Sequence, residues 1–279
     1  MSERHVLGLS GGRDSAALAV YLSQQRPDTA FDYYFADTGK ELPETYEYLG
    51  RLEGFLGRPI IRINARHDFD FWLREYNYFL PSPQTRWCTR QLKLAPFEEY
   101  IRPMLAAGDS VVSYVALRAD ENDRQGYTPR RSRVTIRYPL REGDIDAAGV
   151  TAILQGAGLG LPAFYDWRSR SGCTFCFYQQ KIEWVRLKER HPRAFKEAKA
   201  YEKIASEHSS PFTWSQGESL SDLEQPERTA EIIADFEKRV QRIGPPPNPL
   251  TPAPAAPMLN IDELYGDDEG GGACAACRS

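Results

Sequence analysis

The chain has 279 residues, of which 41% are hydrophobic and 27% are charged, and this composition excludes an intrinsically disordered protein. The formal net charge of −4 gives no global basic field of the kind that marks nucleic-acid binders. No run approaches the roughly 18 apolar residues of a membrane span, and the first residues lack signal-peptide architecture, so we expect a cytoplasmic protein without membrane association.

Short β-rich runs alternate with helix-like stretches up to about residue 140, which is the pattern of a parallel sheet covered by helices. The predicted strands are 5–9, 33–36, 60–63, 111–117 and 134–138. The predicted helices between them are 15–25, 43–56, 69–76 and 89–106. We therefore predict an α/β fold with a parallel twisted sheet of about five strands flanked by helices.

After residue 138 the pattern becomes mostly helical. Helical spacing with few breakers covers 144–156, 179–190, 192–207 and 226–243. A proline-rich spacer starts at Gly244, and the tail beyond it carries the pair Cys274 and Cys277. The predicted regions are an α/β core at 1–142, a helical cysteine-bearing region at 143–243, and a linker with a flexible tail at 244–279.

A glycine-rich turn joins the first predicted strand to the first predicted helix. It consists of Ser10, Gly11, Gly12, Arg13, Asp14 and Ser15. The glycines allow close backbone approach, and exposed N–H groups at a helix N-terminus favour an anion. The turn matches neither the G-x-x-x-x-G-K-[ST] loop nor the G-x-G-x-x-G fingerprint. A plain helix cap is the alternative, but the six-residue pattern directly after a strand favours a phosphate site.

Two further polar groups mark the predicted core. Asp37 and Thr38 follow the second predicted strand, where open α/β sheets place ligand-binding groups. Seven arginines also fall within 24 residues, and they either meet phosphates or form a solvated face balanced by nearby acids. These arginines are Arg118, Arg124, Arg130, Arg131, Arg133, Arg137 and Arg141.

The chain has five cysteines, and four of them form two C-x-x-C pairs. In a cytoplasmic chain this favours metal or redox chemistry over structural disulfides. Cys88, Cys173 and Cys176 are predicted to hold a 4Fe-4S cluster, with zinc or unmetallated thiols as alternatives. The tail pair either carries persulfide or reduces an intermediate at the active site, or its two thiols merely pair with each other.

The turn from Ser10 to Ser15 resembles the S-G-G-x-D-S loop of the PP-loop ATP pyrophosphatases. Other segments resemble the branch that is similar to phosphoadenylyl sulfate (PAPS) reductase. Together they cover roughly residues 5–192. Two of these segments are the D-T-G-x-x-x-P-E-T element from Asp37 to Thr45 and the cysteine-bearing segment from Arg86 to Lys93. The other two are the element with Arg118, Glu121 and Arg124, in which Ala116 replaces a glycine, and the pair Cys173 and Cys176.

This resemblance implies that the chain binds ATP and Mg²⁺ and splits ATP at the α phosphate to form an adenylate. The catalytic residues that it implies are Asp14, Ser15, Lys93 and Arg118. The nucleotide-binding residues that it implies are Ser10, Gly11, Gly12, Arg13, Asp14, Ser15, Asp37, Thr38, Glu121 and Arg124.

Two departures separate the chain from the sulfonucleotide reductases. Cluster-bearing reductases have two adjacent cysteines where this chain has Trp87 and Cys88, and cluster-free ones have a Glu-Cys-Gly-x-His type tail that is missing here. The chain is more similar to the PAPS reductase-like enzymes of DNA phosphorothioation. That similarity implies DNA or a DNA-modifying complex and a cysteine desulfurase as partners, with a homodimer among the expected assemblies. Assimilatory PAPS or APS reductase, transfer-RNA thiolase and a non-catalytic nucleotide-binding subunit are the alternatives.

Overall fold

The computed structural model describes residues 2–121, 132–210 and 212–243. Arg124, Arg130 and Arg131, together with the predicted linker and tail with Cys274 and Cys277, lie outside these residues. Five strands form one parallel sheet in the order β3-β2-β1-β4-β5, which confirms the predicted fold class. The strands are β1 Glu3–Leu9, β2 Phe31–Asp37, β3 Ile60–Asn64, β4 Ser110–Tyr114 and β5 Val134–Arg137.

The strand order reverses at β1, which lies between β2 and β4. Leu7 of β1 pairs with Tyr33 on one side and with Tyr114 on the other. In open parallel sheets ligands bind outside the carboxyl ends of the strands at such a reversal. The segments that follow β1 and β4 are therefore placed to form a site. The predicted strand 111–117 ends early, at Tyr114, because Leu117 N turns back to donate to Val115 O at 2.9 Å.

Most helices begin and end close to the predicted positions, and those at 43–56, 192–207 and 226–243 coincide with them. The helices are α1 Arg13–Gln25, α2 Pro43–Leu56, α3 Phe69–Glu75, α4 Trp87–Thr89, α5 Ala95–Ala106, α6 Pro139–Glu142, α7 Ala147–Gly156, α8 Lys181–Arg190, α9 Pro192–Glu207, α10 Leu220–Leu223 and α11 Pro226–Ile243. Within the described residues, no helix combines the length and the apolar character needed to cross a bilayer.

Three local features differ from the prediction. The predicted helix 89–106 contains a π-helical segment, Arg90–Leu94, between α4 and α5. The predicted helix 144–156 starts later, at Ala147, because the Asp146 side chain accepts from Gly149 N at 2.8 Å and caps it. The 3-10 turn Ala163–Asp166 and the short α10 carry too few residues to show a helical period.

The core has two main parts. Apolar residues of the sheet pack against α1, α2 and α7, and Leu18 and Leu154 are fully buried there. The helical half has a separate aromatic cluster that includes Phe175, Trp184 and Trp214. Each aromatic side chain buries on the order of 150–250 Å², so this cluster forms a second large apolar core, to which Phe69 and Trp87 of the first half also contribute.

Candidate active site

The turn after β1 requires its two glycines. Gly11 has a φ of 71°, which disfavours a side chain, and a Cβ at this residue would lie 2.4 Å from Thr45 Cγ2. A Cβ on Gly12 would lie 2.6 Å from Ser171 Oγ. Neither residue can carry a side chain unless its neighbours move. We refer to residues 10–15 as the phosphate loop, which leads directly into the N-terminus of α1.

Hydroxyl groups brace the phosphate loop from inside. Ser10 N donates to Ser15 Oγ at 3.1 Å, and Gly12 N donates to Ser10 Oγ at 3.3 Å. Ser15 Oγ in turn donates to Gly12 O at 3.2 Å, and Ser15 is 1% exposed. Ser15 therefore holds the shape of the loop in this structure, and its predicted catalytic role stays a prediction.

Asp14 and Arg118 meet where the strand order reverses. Arg118 Nη1 donates to Asp14 Oδ2 at 3.1 Å, which links the loop after β1 to the segment after β4. Asp14 Oδ1 is buried and has no hydrogen-bond partner among the described residues, although Arg13 Nε lies 3.8 Å away. Burial raises the pKa of Asp14, and the charges of Arg118 and Arg13 oppose that rise. The unsatisfied oxygen fits a cation such as Mg²⁺.

The residues after β4 form a compact charged turn. Arg118 Nε and Nη2 donate to the two oxygens of Asp120 at 2.8 and 3.0 Å. Glu121 Oε2 accepts from Arg118 N at 3.1 Å. The predicted residues Arg118 and Glu121 thus lie together, and the guanidinium of Arg118 is shared between two carboxylates. Arg124, which was predicted with them, lies outside the described residues.

Asp37 and Thr38 take separate roles at the end of β2. Asp37 Oδ1 accepts from Gly39 N at 2.9 Å and from Tyr46 OH at 2.8 Å, which fixes its carboxylate. Thr38 Oγ1 donates to Glu41 Oε1 at 2.9 Å, and Thr38 also lines a cavity with the cysteines. Asp37 braces the turn, whereas Thr38 connects it to the thiols.

Cys88, Cys173 and Cys176, which are far apart in the sequence, line one cavity of about 40 Å³. We call it the cysteine cavity. Lys93 lines it from the π-helical segment, and such segments often occur at functional sites. Its other lining residues are Thr38, Lys40, Phe69, Pro81, Thr89, Leu92, Ser171, Gly172, Phe175, Phe177 and Trp214.

The cysteines are not arranged as a metal centre. Across residues 2–121, 132–210 and 212–243, no group of three or more His, Cys, Asp or Glu side chains is positioned to hold a metal ion. A hydrogen bond to Cys176 and burial raise the pKa of Cys173 well above its ordinary value. The positions of these side chains do not support the predicted 4Fe-4S cluster.

The buried charged residues around the cysteine cavity were not predicted from the sequence. Arg168 is 1% exposed and donates from Nη1 to Gly172 O at 3.1 Å and from Nη2 to Cys173 O at 2.8 Å. Glu41 forms an isolated antiparallel bridge with Cys173, and burial raises the pKa of its carboxyl against the charge of Lys93. A single sequence gives no sign that these charged residues are buried.

A second ionic cluster connects the loop after β2 to the helical half. Lys40 Nζ donates to Glu197 Oε1 at 2.6 Å and to Tyr201 OH at 2.9 Å. Tyr201 OH donates to Asp70 Oδ1 at 2.7 Å, so α3 and α9 meet at the same lysine. Because Lys40 also lines the cysteine cavity, this cluster fixes one of its walls.

Residues 4–134 match the family model described as the phosphoadenosine phosphosulfate reductase domain. The chain is 30% identical over 130 residues to the uncharacterized protein MJ0066 of Methanocaldococcus jannaschii, covering 47% of this chain and 26% of the relative. It is 30% identical over 133 residues to the tRNA-specific 2-thiouridylase MnmA of Lactobacillus gasseri, covering 43% and 35%. For the MnmA of Enterococcus faecalis the identity is 24% over 208 residues, covering 64% and 53%.

A crystal structure of PAPS reductase from Candida auris aligns with a TM-score of 0.45 and 14% identity, covering 61% of this chain and 81% of that chain. The matches to these curated relatives span about a quarter to a half of the relatives' own length. Residues 4–134 are thus similar to the phosphoadenosine phosphosulfate reductase domain, and the curated relatives that match include tRNA-specific 2-thiouridylases.

Proposed function

We propose that this chain, with a PAPS reductase-like domain at residues 4–134, splits ATP between the α and β phosphates to activate an acceptor for sulfur incorporation. The observation that carries the proposal is the junction of Asp14 with Arg118. It joins a glycine turn at a helix N-terminus to a cationic segment, at the reversal of strand order where such sheets bind ligands.

The geometry suits a triphosphate. The N-terminus of α1 offers backbone N–H groups and a favourable dipole, and Gly11 and Gly12 leave room for phosphate oxygens at the main chain. Arg13 and Arg118 add positive charge beside the loop. Asp14 Oδ1, which is buried without a hydrogen-bond partner among the described residues, would hold a magnesium ion, and that ion would neutralise the charge of the departing pyrophosphate.

The reaction has two steps. An acceptor oxygen attacks the α phosphorus, an adenylate forms, and pyrophosphate leaves. In the second step a cysteine persulfide attacks and displaces AMP, which departs with the acceptor's former oxygen. A second cysteine thiol then attacks the inner sulfur of the persulfide, which releases the thiolated acceptor and leaves a cysteine disulfide that an external thiol reductant reopens. The cysteine cavity adjoins the phosphate loop through Ser171, so a sulfur atom carried by one of its thiols would lie close to the adenylate. A cysteine desulfurase is the proposed source of that sulfur.

DNA is the proposed acceptor, on the resemblance to the phosphorothioation enzymes, with the backbone phosphate oxygen as the attacking group. The identity with the tRNA-specific 2-thiouridylases favours transfer RNA as a second candidate, with the uridine oxygen in that position. Both acceptors require the same cleavage of ATP, so the two candidates differ only in the nucleic acid that stimulates it.

The test is anaerobic purification followed by product analysis with Mg-ATP and a persulfide-loaded desulfurase. We expect AMP and pyrophosphate in equal amounts, with DNA raising the rate and phosphorothioate linkages appearing after nuclease digestion. Stimulation by transfer RNA and the appearance of thiouridine would instead select the second candidate. ADP and phosphate as the products, or nucleotide binding without turnover, would refute the proposed reaction.

A further inference from the structure

The phosphate loop and the cysteine cavity share one residue. Ser171 Oγ donates to Ser10 Oγ at 3.2 Å, and Ser10 Oγ is in turn 3.1 Å from Ser15 Oγ and accepts from Gly12 N. Ser171 and its neighbour Gly172 also line the cysteine cavity. The hydroxyl of Ser171 is therefore part of the network that shapes the loop, and the same residue belongs to the wall of the cavity that the thiols line.

The segment carrying Ser171 lies tightly against the start of α1. A Cβ on Gly12 would be 2.6 Å from Ser171 Oγ and 3.2 Å from Tyr165 OH, so no space separates the segment from the loop. Tyr165 OH also accepts from Arg13 N at 3.2 Å. Because these atoms are in contact, a phosphate that rearranges the loop must also move Ser171 or break its hydrogen bond.

The segment is held just as firmly on the side of the thiols. Arg168 binds the carbonyl oxygens of Gly172 and Cys173, and Thr174 N donates to Lys40 O at 2.7 Å. Gly172 has a φ of 150°, a conformation that favours glycine. A displacement of Ser171 would therefore move the short stretch of backbone up to Cys173. It would also reach Cys176, because Cys176 N donates to Cys173 O at 3.1 Å.

We propose that Ser171 is a positioning residue that couples the nucleotide on the phosphate loop to the arrangement of Cys173 and Cys176. This inference rests on the proposed function, because it assigns the coupling to ATP. The inference also gives the order of the two events. Nucleotide binding changes the positions of the thiols that receive sulfur, so that sulfur is loaded only after ATP has bound.

The experiment measures the alkylation rate of each cysteine by iodoacetamide, with and without saturating Mg-ATP, by quantifying tryptic peptides. Cys173 and Cys176 share one peptide, and Cys88 lies on another. In the unmodified protein we expect Mg-ATP to change the rate at Cys173 and Cys176 by roughly 2- to 10-fold, the range set by one hydrogen bond. Cys88 lies on α4, outside the braced segment, and should change less.

Two variants test the link itself. Ser171→Ala should remove most of the ATP-dependent change, whereas the matched variant Ser206→Ala, at an exposed site on α9, should keep it. Tyr165→Phe retains the buried ring and removes only the hydroxyl that receives Arg13 N, so it should reduce the change. A merely structural role of Ser171 would shift the rates equally with and without ATP and leave their ratio intact.

Three results would overturn the coupling. If ATP is turned over but the alkylation rates of Cys173 and Cys176 are the same with and without ATP, the coupling is wrong and the proposed function stands. If Ser171→Ala and Tyr165→Phe keep the full ATP-dependent change, Ser171 is not the link. If the unmodified protein binds no nucleotide in calorimetry, the proposed function fails and the coupling fails with it.

Discussion

The phosphate loop and the cysteine cavity are neighbours that are built in opposite ways. The loop is one run of six residues between β1 and α1, and most of its bracing hydrogen bonds are internal. The cavity draws its wall from four stretches, the loop after β2, the segment from α3 to the π helix, residues 171–177, and Trp214. A local site can be recognised from a motif, whereas a site assembled at long range depends on the packing of the whole helical half.

The two sites also differ in where their charged side chains lie. At the phosphate loop, Asp14 and Arg118 form a direct ion pair at the ligand-binding edge of the sheet. Around the cavity, the buried ions Glu41 and Arg168 lie behind the wall and bind the backbone or a hydroxyl. The ion pair therefore faces the proposed ligand at the first site. At the second site Glu41 and Arg168 support the framework, and the charges that line the cavity are those of Lys40 and Lys93.

The largest expected effect is on catalysis, and it comes from a change of Asp14 in the phosphate loop. Asp14→Asn removes the charge that faces Arg118 and the proposed magnesium ion, while Arg118 keeps Asp120 as a partner. We expect pyrophosphate release to fall by about 10²–10³-fold, as for the loss of one preorganised electrostatic group, with little change in the free energy of unfolding. Asp28→Asn, at an exposed site, is the control. Activity within twofold of the unmodified protein would rule out this role.

The next effect concerns the cavity framework. Arg168→Met removes the side-chain donor to Gly172 O and one of the two donors to Cys173 O, which keeps Cys176 N at 3.1 Å. Hydrogen bonds from a charged group contribute about 1.5–3 kcal/mol each. We expect the free energy of unfolding in urea to fall by about 2–4 kcal/mol. Arg190→Met, at the exposed end of α8, should change it little. Equal stability of the two variants would mean that the cavity wall does not depend on the buried guanidinium.

A smaller loss of stability should accompany a change in the phosphate loop. Gly11→Ala adds a Cβ 2.4 Å from Thr45 Cγ2 at a residue with positive φ, so we expect about 1–3 kcal/mol of destabilisation and weaker ATP binding. Gly54→Ala is the matched control. It lies on the exposed face of α2 with open space around it, and it should stabilise by about 0.5–1 kcal/mol. Calorimetry with Mg-ATP and thermal unfolding measure both quantities, and a Gly11→Ala protein as stable as Gly54→Ala would contradict the tight contact.

The smallest effect lies at the rim of the helical half. Glu218 contacts Arg228 Nε at 2.7 Å and Lys181 Nζ at 2.6 Å, and the hydrogen bond from Arg228 lowers the pKa of Glu218 to about 2. Because this pKa lies below the ordinary value of 4.5, the stabilisation is present at neutral pH and is lost as pH falls from 4.5 towards 2.

Glu218→Gln should therefore lower the free energy of unfolding by about 0.5–1 kcal/mol at pH 7, the range of a solvent-screened pair. The difference from the unmodified protein should shrink as the pH falls below 4, which denaturant titrations at several pH values will measure. A constant difference across that range would show that the carboxylate charge is not its source.

Local patterns predicted much of the fold. The period of apolar residues and the proline and glycine breakers placed α2, α9 and α11 at their observed bounds and the five strands close to theirs. The π-helical segment Arg90–Leu94 was missed, because one extra residue in a helical turn leaves the apolar period almost unchanged. Cys88, Cys173 and Cys176 were predicted to bind one 4Fe-4S cluster; they line one cavity, but the cluster itself is not supported.

The sequence by itself determined the elements whose causes are short in range: the alternation of strands and helices, and the glycine turn that leads into α1. Only the tertiary structure decided that Ser171 reaches Ser10, that Arg168 and Glu41 are buried, and that three distant thiols face one cavity. The physical reason is that burial and long-range contact depend on how helices pack against the sheet, whereas a residue's own neighbours in the chain fix only its local conformation and exposure pattern.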